Sequence, residues 1–564
     1  MPLGSFIGSA SLLLSNTNTK KSTKNNIKKE IDKPRVFSSE TIKRLERGKA
    51  EDFNLSSKYI ESFLNEISQD LTVKANRILV VKGNKVIAEK YNYPYVDNAW
   101  DCVFSATKTV TALALGCLFD EGKVDLDKPA CEILGIQNKV GNLANKKITL
   151  RHLLTMSTGN TFNEMESAVS KKWIKGFYGS MNKFPIGKKF EYNSLNTYII
   201  GACVEKLSGK SLADFVQEKI FDPLNINDTY FEVSPDGVAK SGWGLYILPE
   251  DMAKLGIMVR DYGVFDGKQI ISKEWIEQMS TKEIASTKYG HRFDYGYQMW
   301  VKEDINFCCF NGMFNQDILI YRNTGFVIVL CSANNEAFHG SNEYNITEKY
   351  FAKDYVSESE YVTKPSSFEV DNQEKLMYYY DKIINKTYKP VDKDANSCGI
   401  LPLILQNEMG TYSQGIKEMT FLKENDEYIF KVKEGETEYN IKFNFDKGIR
   451  QTLQFYGNMY DCVVDGRFIQ NAMGEATFAI RVFFLEFAPS RFISIKFGKN
   501  MDELSVEFAE DPGLDFVRAV LASQDKTVQA LLKGLKSIID KDVFYIKTKK
   551  IFNPTFNIKH IEQE

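Results

Sequence analysis

"FSATKTVTALALGCLFDEGKVDLDK", residues 104–128, is the stretch whose reading decides the fold. Lys108 stands one helical turn after Ser105, and Val110, Leu113, Ala114, Cys117 and Leu118 then recur at helical spacing until Gly122 closes the pattern. Ser105 therefore stands at or just before the first turn of a helix apolar enough to be buried. At positions i and i+3 the serine and lysine side chains share one helix face, which brings the amine within reach of the hydroxyl. Burial and the positive end of the helix dipole both lower the amine's pKa toward that of a useful base. The same Ser-x-x-Lys spacing recurs at Ser180 and Ser523. Ser180 runs straight into Phe184-Pro185 and Ser523 precedes an ordinary amphipathic helix, so only the pair at Ser105 opens a core helix.

Upstream, "NRILVVKGNKVIAEKYN" (76–92) carries two β-rich runs on either side of Gly83-Asn84, a hairpin signal. Before it, residues 36–66 have helical periodicity in "SETIKRLERGKAEDF" and "SSKYIESFLNEI". Downstream, "ITLRHLLTMSTG" (148–159) reads as a short helix ending at Gly159. "NSLNTYIIGACVEKLSGKSLADFVQEKIFDPLNI" (193–226) reads as two helices split at Ser208-Gly209 and stopped at Pro223. "GWGLYILPEDMAKLGIMVRDYG" (242–263) adds a Gly-rich turn and a helix starting near Pro249, a good first-turn residue. From about residue 295, "YGYQMWV", "FCCFNGMFNQDILIY" and "GFVIVLCSAN" read as three successive strands. The expected fold class is α+β, an antiparallel sheet with flanking helices and an all-α region, followed by a smaller β-rich, barrel-like domain.

After residue 350 the character changes. "SESEYVTKPSSFEVDNQEK" is polar and reads as a linker, a Tyr- and Ile-rich helix follows at roughly 372–385, and short alternating runs from about 396 to 510 predict a barrel or sandwich. The basic amphipathic "KTVQALLKGLKSIIDK" (526–541) reads as a helix packed on its own protein rather than on a membrane. The expected divisions are a flexible leader at 1–35, a main domain at 36–355, a linker and helix at 356–395, a β-rich domain at 396–522 and a helix and tail at 523–564.

A chain of 564 residues exceeds what one hydrophobic core organises. Its formal charge of −2 provides no field for nucleic acid, so no nucleic-acid partner is expected. The nine cysteines fall largely in apolar runs, there is no CxxC, and Cys308-Cys309 lacks zinc-finger spacing. Reduced, buried thiols, no metal and no cofactor are the expectation. The run "FIGSASLLL" is short, lacks a preceding basic residue and is followed by "NTKKSTKNNIKKEIDK", the reverse of a signal peptide's charge order. No segment reaches the ~18–20 apolar residues of a membrane span, and the expected location is the cytoplasm. Oligomeric state leaves no mark in the sequence.

A serine hydroxyl needs a base to become a nucleophile. The chain has only four histidines, His152, His291, His339 and His560. His152 sits in the apolar "LRHLLTM" and reads as structural, and no G-x-S-x-G elbow is present. A working serine here would have a lysine or a tyrosine as its base.

"FSATKTVTALALGCLFDEGKVDLDKPA", "ITLRHLLTMSTG", "FEYNSLNTYIIGACVEKLSGKSLADFVQEKIFDPLNI" and "GWGLYILPEDMAKLG" together resemble the serine β-lactamase and penicillin-binding-protein-like hydrolases, in the branch of class C β-lactamases, esterases and 6-aminohexanoate-dimer hydrolases. The resemblance spans roughly residues 60–350 in the family's order. It implies a β-lactamase/transpeptidase-like main domain and an acyl-enzyme mechanism. Ser105 matches the nucleophile and Lys108 the lysine of the first motif. Tyr192, in "YNS", matches the tyrosine of the Tyr-x-Asn motif, whose phenolate or hydroxyl shuttles protons; a lysine beside it would favour the phenolate by charge. The third motif falls at "FNGMFNQ" with Gly312 as its glycine, so the resemblance implies an oxyanion hole from the backbone amides of Ser105 and Met313, with Gly312 allowing close approach to the strand.

Two departures bear on substrate. Ser194 stands where the second motif has asparagine, and Phe310-Asn311-Gly312 replaces Lys-Thr-Gly or His-x-Gly. The cation that holds a substrate carboxylate in the family is absent from that motif, a charge-assisted bond of about 1.5–3 kcal/mol; Arg292 and Arg322 are candidate substitutes. Ser194, Asn311, Gly312 and Met313 are the expected substrate contacts. The implied function is a serine hydrolase of a small ester or amide, with Lys108 and Tyr192 as general base and acid. The alternatives are a D-amino-acid peptidase, penicillin-binding protein or β-lactamase, and a catalytically inactive binding protein. The implied partner is a small ester, amide or peptide substrate. The C-terminal β region resembles small β-barrel modules appended to some relatives.

Overall fold

A computed structural model describes residues 42–136, 142–335, 340–355, 373–409, 411–425, 427–470, 473–498, 501–516 and 549–561. The leader expected at 1–35, the helix expected at 526–541 and His339 lie outside the described residues. The chain divides into two compact units, whose described parts are 42–355 and 373–561.

The first unit is built on an eight-stranded sheet. In spatial order its strands are Glu46–Arg47, Lys85–Tyr91, Ala75–Lys82, Phe326–Ser332, Gln316–Tyr321, Phe307–Gly312, Trp300–Lys302 and Asp294–Tyr295. All neighbours are antiparallel except the first pair. Its middle strands are apolar on both sides, which demands cover on both faces. Along Phe326–Ser332, Val327, Val329 and Cys331 enter one core, and Phe326, Ile328 and Leu330 enter the other. The first core is closed by the helices Thr107–Asp120, Ser194–Ser208 and Pro249–Arg260, the second by Ser57–Gln69 and Glu343–Phe351. The helix Thr107–Asp120 is buried from Thr107 through Leu118, polar residues included. Only a helix enclosed on all sides has no polar face.

Two local expectations are corrected. Residues 39–53 read as helical, yet Glu46–Arg47 is a strand paired in parallel with Lys85-Val86, and Ala50–Phe53 is a single 3₁₀ turn. The buried Glu250 carboxylate overrides helix propensity there: it accepts hydrogen bonds from the Leu45 amide at 2.6 Å and from Arg47 at 2.7 Å. "FCCFNGMFNQDILIY" is two strands rather than one, folded back at Met313–Asn315, where Phe314 (φ 62°) and Asn315 (φ 65°) are both left-handed.

The second unit is a ten-stranded antiparallel sheet, in spatial order Thr437–Phe443, Glu427–Glu434, Ile416–Glu424, Lys386–Pro390, Thr555–Ile561, Glu503–Asp511, Ser490–Phe497, Ala476–Phe484, Asn458–Gln470 and Ile449–Phe455. It curls into a nearly closed barrel. The Gln451 amide donates to the Lys442 carbonyl at 2.6 Å and accepts from the Lys442 N–H at 3.1 Å, joining the two end strands. Gly466 N–H donates to Asn444 O at 2.8 Å. Those bonds occupy edge groups that otherwise invite another chain. Two strands, Lys386–Pro390 and Thr555–Ile561, fall outside the 396–522 span expected for the β-rich region. They pair with each other across more than a hundred residues, and no local pattern reports that pairing. From the helix Gln373–Ile383, Tyr380 packs fully buried among the rings of Phe421, Tyr428, Phe443, Phe445 and Phe478. Among the described residues no helix is long and apolar enough to cross a membrane.

Candidate active site

Ser105 lies in the 3₁₀ turn Phe104–Ala106, which feeds directly into the helix Thr107–Asp120. The turn is strained: Phe104 has φ 43°, a left-handed conformation that costs a bulky residue about 1–3 kcal/mol. Its ring is held edge-on against Phe314 at 5.7 Å. The Val103 N–H donates to Leu245 O at 3.0 Å and fixes the approach to the turn.

Lys108 Nζ is 2.9 Å from Ser105 Oγ and 2.6 Å from the carbonyl oxygen of Gly242. Burial pushes the Lys108 amine down to about 7, against an opposing pull from the Glu164 carboxylate. At neutral pH a large share of the amine is unprotonated. The amine donates to Gly242 O, and once unprotonated it has a lone pair with which to accept the proton of the serine hydroxyl at the same 2.9 Å contact. The Gly242 carbonyl comes close because Gly242 itself lies against the Ser194 backbone, where a Cβ would meet Ser194 O at 2.7 Å.

Tyr192 hydrogen-bonds Ser105, and burial pushes its phenol above the ordinary tyrosine value, with Ser105 pulling the other way and Glu164 adding to the rise. Its ring stacks on Trp300 at 5.7 Å and lies under Lys108 Nζ, 4.9 Å from the ring centroid. The sequence argument that a lysine beside Tyr192 favours the phenolate is thereby reversed. Burial of Tyr192 itself raises its phenol, so the tyrosine stays protonated.

The remaining expected residues are in less direct roles. Ser194 is buried; its amide donates to Glu164 Oε1 at 3.0 Å and its hydroxyl also hydrogen-bonds that carboxylate. Its neighbour Asn193 caps the helix Ser194–Ser208 and donates to the carbonyls of Asn160 and Phe162. Asn311 donates to Asp317 Oδ1 at 2.7 Å and to the Tyr344 hydroxyl at 2.8 Å. Phe310, at the position of the family's cation, is buried in the core shared with the helix Thr107–Asp120. Gly312 is pressed against the turn that carries Ser105: a Cβ there would lie 2.2 Å from Val103 O. Met313 follows it, almost buried.

Neither candidate substitute cation serves the site. Arg292 donates to Asn345, and Arg322 donates to Ser280 Oγ at 2.9 Å and to Val259 O at 3.0 Å. His152 is structural, as its apolar surroundings predict: its Nδ1 accepts from the Thr149 amide at 3.1 Å, closing the cap of the helix Leu150–Leu154. Two members of the arrangement escaped sequence reading. Glu164 lies in a stretch with no motif, and the Gly242 oxygen belongs to a backbone group every residue possesses.

The Beta-lactamase family model matches residues 67–350. A teichoic acid D-alanine hydrolase of Staphylococcus aureus (strain NCTC 8325 / PS 47) is 26% identical over 284 residues, 45% of this chain and 66% of that protein. The 6-aminohexanoate-dimer hydrolase of Paenarthrobacter ureafaciens is 22% identical over 221 residues, 36% of this chain and 56% of that protein. The chain thus spans just under two thirds of the first of these relatives and less of the second. The crystal structure of a penicillin binding protein from Bacillus halodurans aligns over 52% of this chain and 98% of that chain, at 19% identity and a TM-score of 0.40.

Proposed function

Because the chain belongs to the β-lactamase family, we propose that it is a serine hydrolase that cleaves a small ester or amide through an acyl-enzyme on Ser105. The observation that carries the proposal is the buried Lys108 amine, 2.9 Å from Ser105 Oγ and depressed to about 7. A base tuned near the working pH, within hydrogen-bond reach of the proton it takes, is what activation of a serine requires.

In the first step Lys108 accepts the Ser105 proton as Oγ attacks the acyl carbon. The Tyr192 phenol donates a proton to the departing alcohol or amine and regains one from the Lys108 ammonium. Water then repeats the sequence on the acyl-serine and releases the acid. The oxyanion is assigned to the amides of Ser105 and Met313. The close approach of Gly312 to Val103 supports that assignment by bringing the end of strand Phe307–Gly312 beside the serine turn.

The acyl group is proposed to lack a carboxylate anchor, since Phe310 is buried and Arg292 and Arg322 are bonded elsewhere. The two relatives are named for amino-acid residues, D-alanine and 6-aminohexanoate. On the strength of those names, an acyl group bearing an amine is the proposed substrate class. A panel of p-nitrophenyl esters, β-lactams and D-amino amides tests the assignment. Turnover of esters or amino amides that Ser105→Ala loses supports it, whereas acylation by β-lactams alone favours a penicillin-binding protein.

The rate of Ser105 acylation is expected to rise with pH through about 7, as Lys108 loses its proton. Glu164 pulls the Lys108 value upward, so Glu164→Gln is expected to move this limb to lower pH. A stopped-flow pH profile of ester acylation for both proteins checks the sign. A limb that stays in place or moves upward contradicts it.

A further inference from the structure

Glu343, on the helix Glu343–Phe351, and Asp317, on the strand Gln316–Tyr321, are both fully buried behind the turn Met313–Asn315. Asp317 Oδ1 accepts from Asn311 Nδ2 at 2.7 Å. Asp317 Oδ2 accepts from the Tyr344 hydroxyl at 2.7 Å and from Asn315 Nδ2 at 3.3 Å. The Tyr344 oxygen also accepts from both asparagines, at 2.8 and 3.0 Å. Glu343 Oε2 accepts from Asn334 Nδ2 at 2.8 Å and Ser332 Oγ at 3.3 Å, and Asn334 Nδ2 also donates to Asn315 Oδ1 at 3.0 Å. Glu343 Oε1 meets no donor among the described residues. The two buried carboxyls are close enough to interact, and a proton held by one of them relieves the repulsion between them.

The hydrolase mechanism uses none of these groups, yet they grip both sides of the segment that ends strand Phe307–Gly312. We propose that the Asp317–Glu343 carboxyl pair is a positioning element: through Asn311 and Asn315 it fixes the turn Met313–Asn315 and so aims the Met313 N–H at the acyl oxygen on Ser105. This rests on the hydrolase reading given above.

Burial holds both carboxyls above the ordinary range, and Asp317 raises Glu343 further. The other titratable groups facing the pair are Tyr344, Cys309 and Cys331, each pushed up by burial and neutral at working pH. Arg292 lies 5.6 Å from the Tyr344 ring centroid and Asp70 accepts from Asn342 beside Glu343. No ammonium or guanidinium bonds either carboxyl among the described residues. When that proton leaves, two anions repel and the turn loosens. Lys108 limits acylation on the acid side; the carboxyl pair imposes a separate alkaline limb.

Glu343→Gln keeps a neutral side chain of the same size beside Asp317 and removes the titration, so it is expected to retain acylation and lose the alkaline limb. Glu343→Ala removes the side chain and is expected to acylate more slowly, up to the ~100-fold that a 1 Å misplacement costs, with the acid limb unmoved. Amide exchange of residues 311–317, followed by mass spectrometry, is expected to quicken in Glu343→Ala and to match wild type in Glu343→Gln at neutral pH. Unchanged exchange in Glu343→Ala, or a wild-type alkaline limb in Glu343→Gln, overturns the proposal. If wild type is acylated by no ester or amide, the hydrolase reading fails, and exchange alone still decides whether the pair holds the turn.

Discussion

Replacing Lys108 with methionine is expected to slow acylation of Ser105 by roughly 10²–10⁴-fold, the contribution of a positioned general base. Methionine preserves the length and apolar stem of the side chain inside a helix buried on every side. What it removes is the amine between Ser105 Oγ and Gly242 O. The Gly242 carbonyl loses a donor, a cost of about 1–3 kcal/mol for a buried acceptor. Removing a buried amine from apolar surroundings offsets part of that cost. Activity and stability therefore separate: single-turnover ester cleavage collapses while the urea midpoint moves little. A variant that acylates within tenfold of wild type would assign the base elsewhere.

Arg77→Met is expected to be the most damaging change to stability outside the site. Arg77 has no solvent exposure and donates to both oxygens of Asp101, at 2.7 and 2.8 Å, and to Val96 O at 2.8 Å. Asp101 lies in the strand that leads to Ser105, paired with Ile247. Burial already pushes its carboxyl up, and Arg77 is the charge that opposes this. Breaking one side of a buried pair costs about 3–5 kcal/mol because the other charge is stranded. Urea unfolding should report that loss, and Arg77→Met with Asp101→Leu should recover most of it, since an apolar pair needs no compensation. A single variant within about 1 kcal/mol of wild type would mean that water reaches Asp101.

The parts of the fold that were legible in sequence are those set by local pattern. The helix behind Ser105, the Gly83-Asn84 hairpin and the helix starting at Pro249 each follow from spacing and turn chemistry within a dozen residues. What stayed hidden depends on distant partners. Glu46–Arg47 is extended because Glu250 holds it, and the barrel recruits strands from both sides of the expected β region. The hairpin at Phe314-Asn315 contradicts the preference of phenylalanine, and tertiary contact with Phe104 outweighs that preference.

The site divides the same way. Ser105 and Lys108 were legible from residue type and spacing and Tyr192 from the family resemblance, and the structure brings the three into contact. Their protonation was not legible, because it depends on how deeply each group is buried: desolvation lowers Lys108 and raises Tyr192. Ser194 and Asn311 were read as substrate contacts from their motif positions, while their hydrogen bonds go to Glu164 and to the Asp317–Tyr344 cluster. A side chain's direction depends on neighbours that a motif does not name.

Intact-protein mass spectrometry after exposure to p-nitrophenyl esters and D-amino amides tests the central claim most directly. The account predicts an acyl adduct on the wild-type chain that peptide mapping places on Ser105 and that Ser105→Ala lacks. An adduct of equal yield in Ser105→Ala, or no adduct in wild type across the panel, would contradict it.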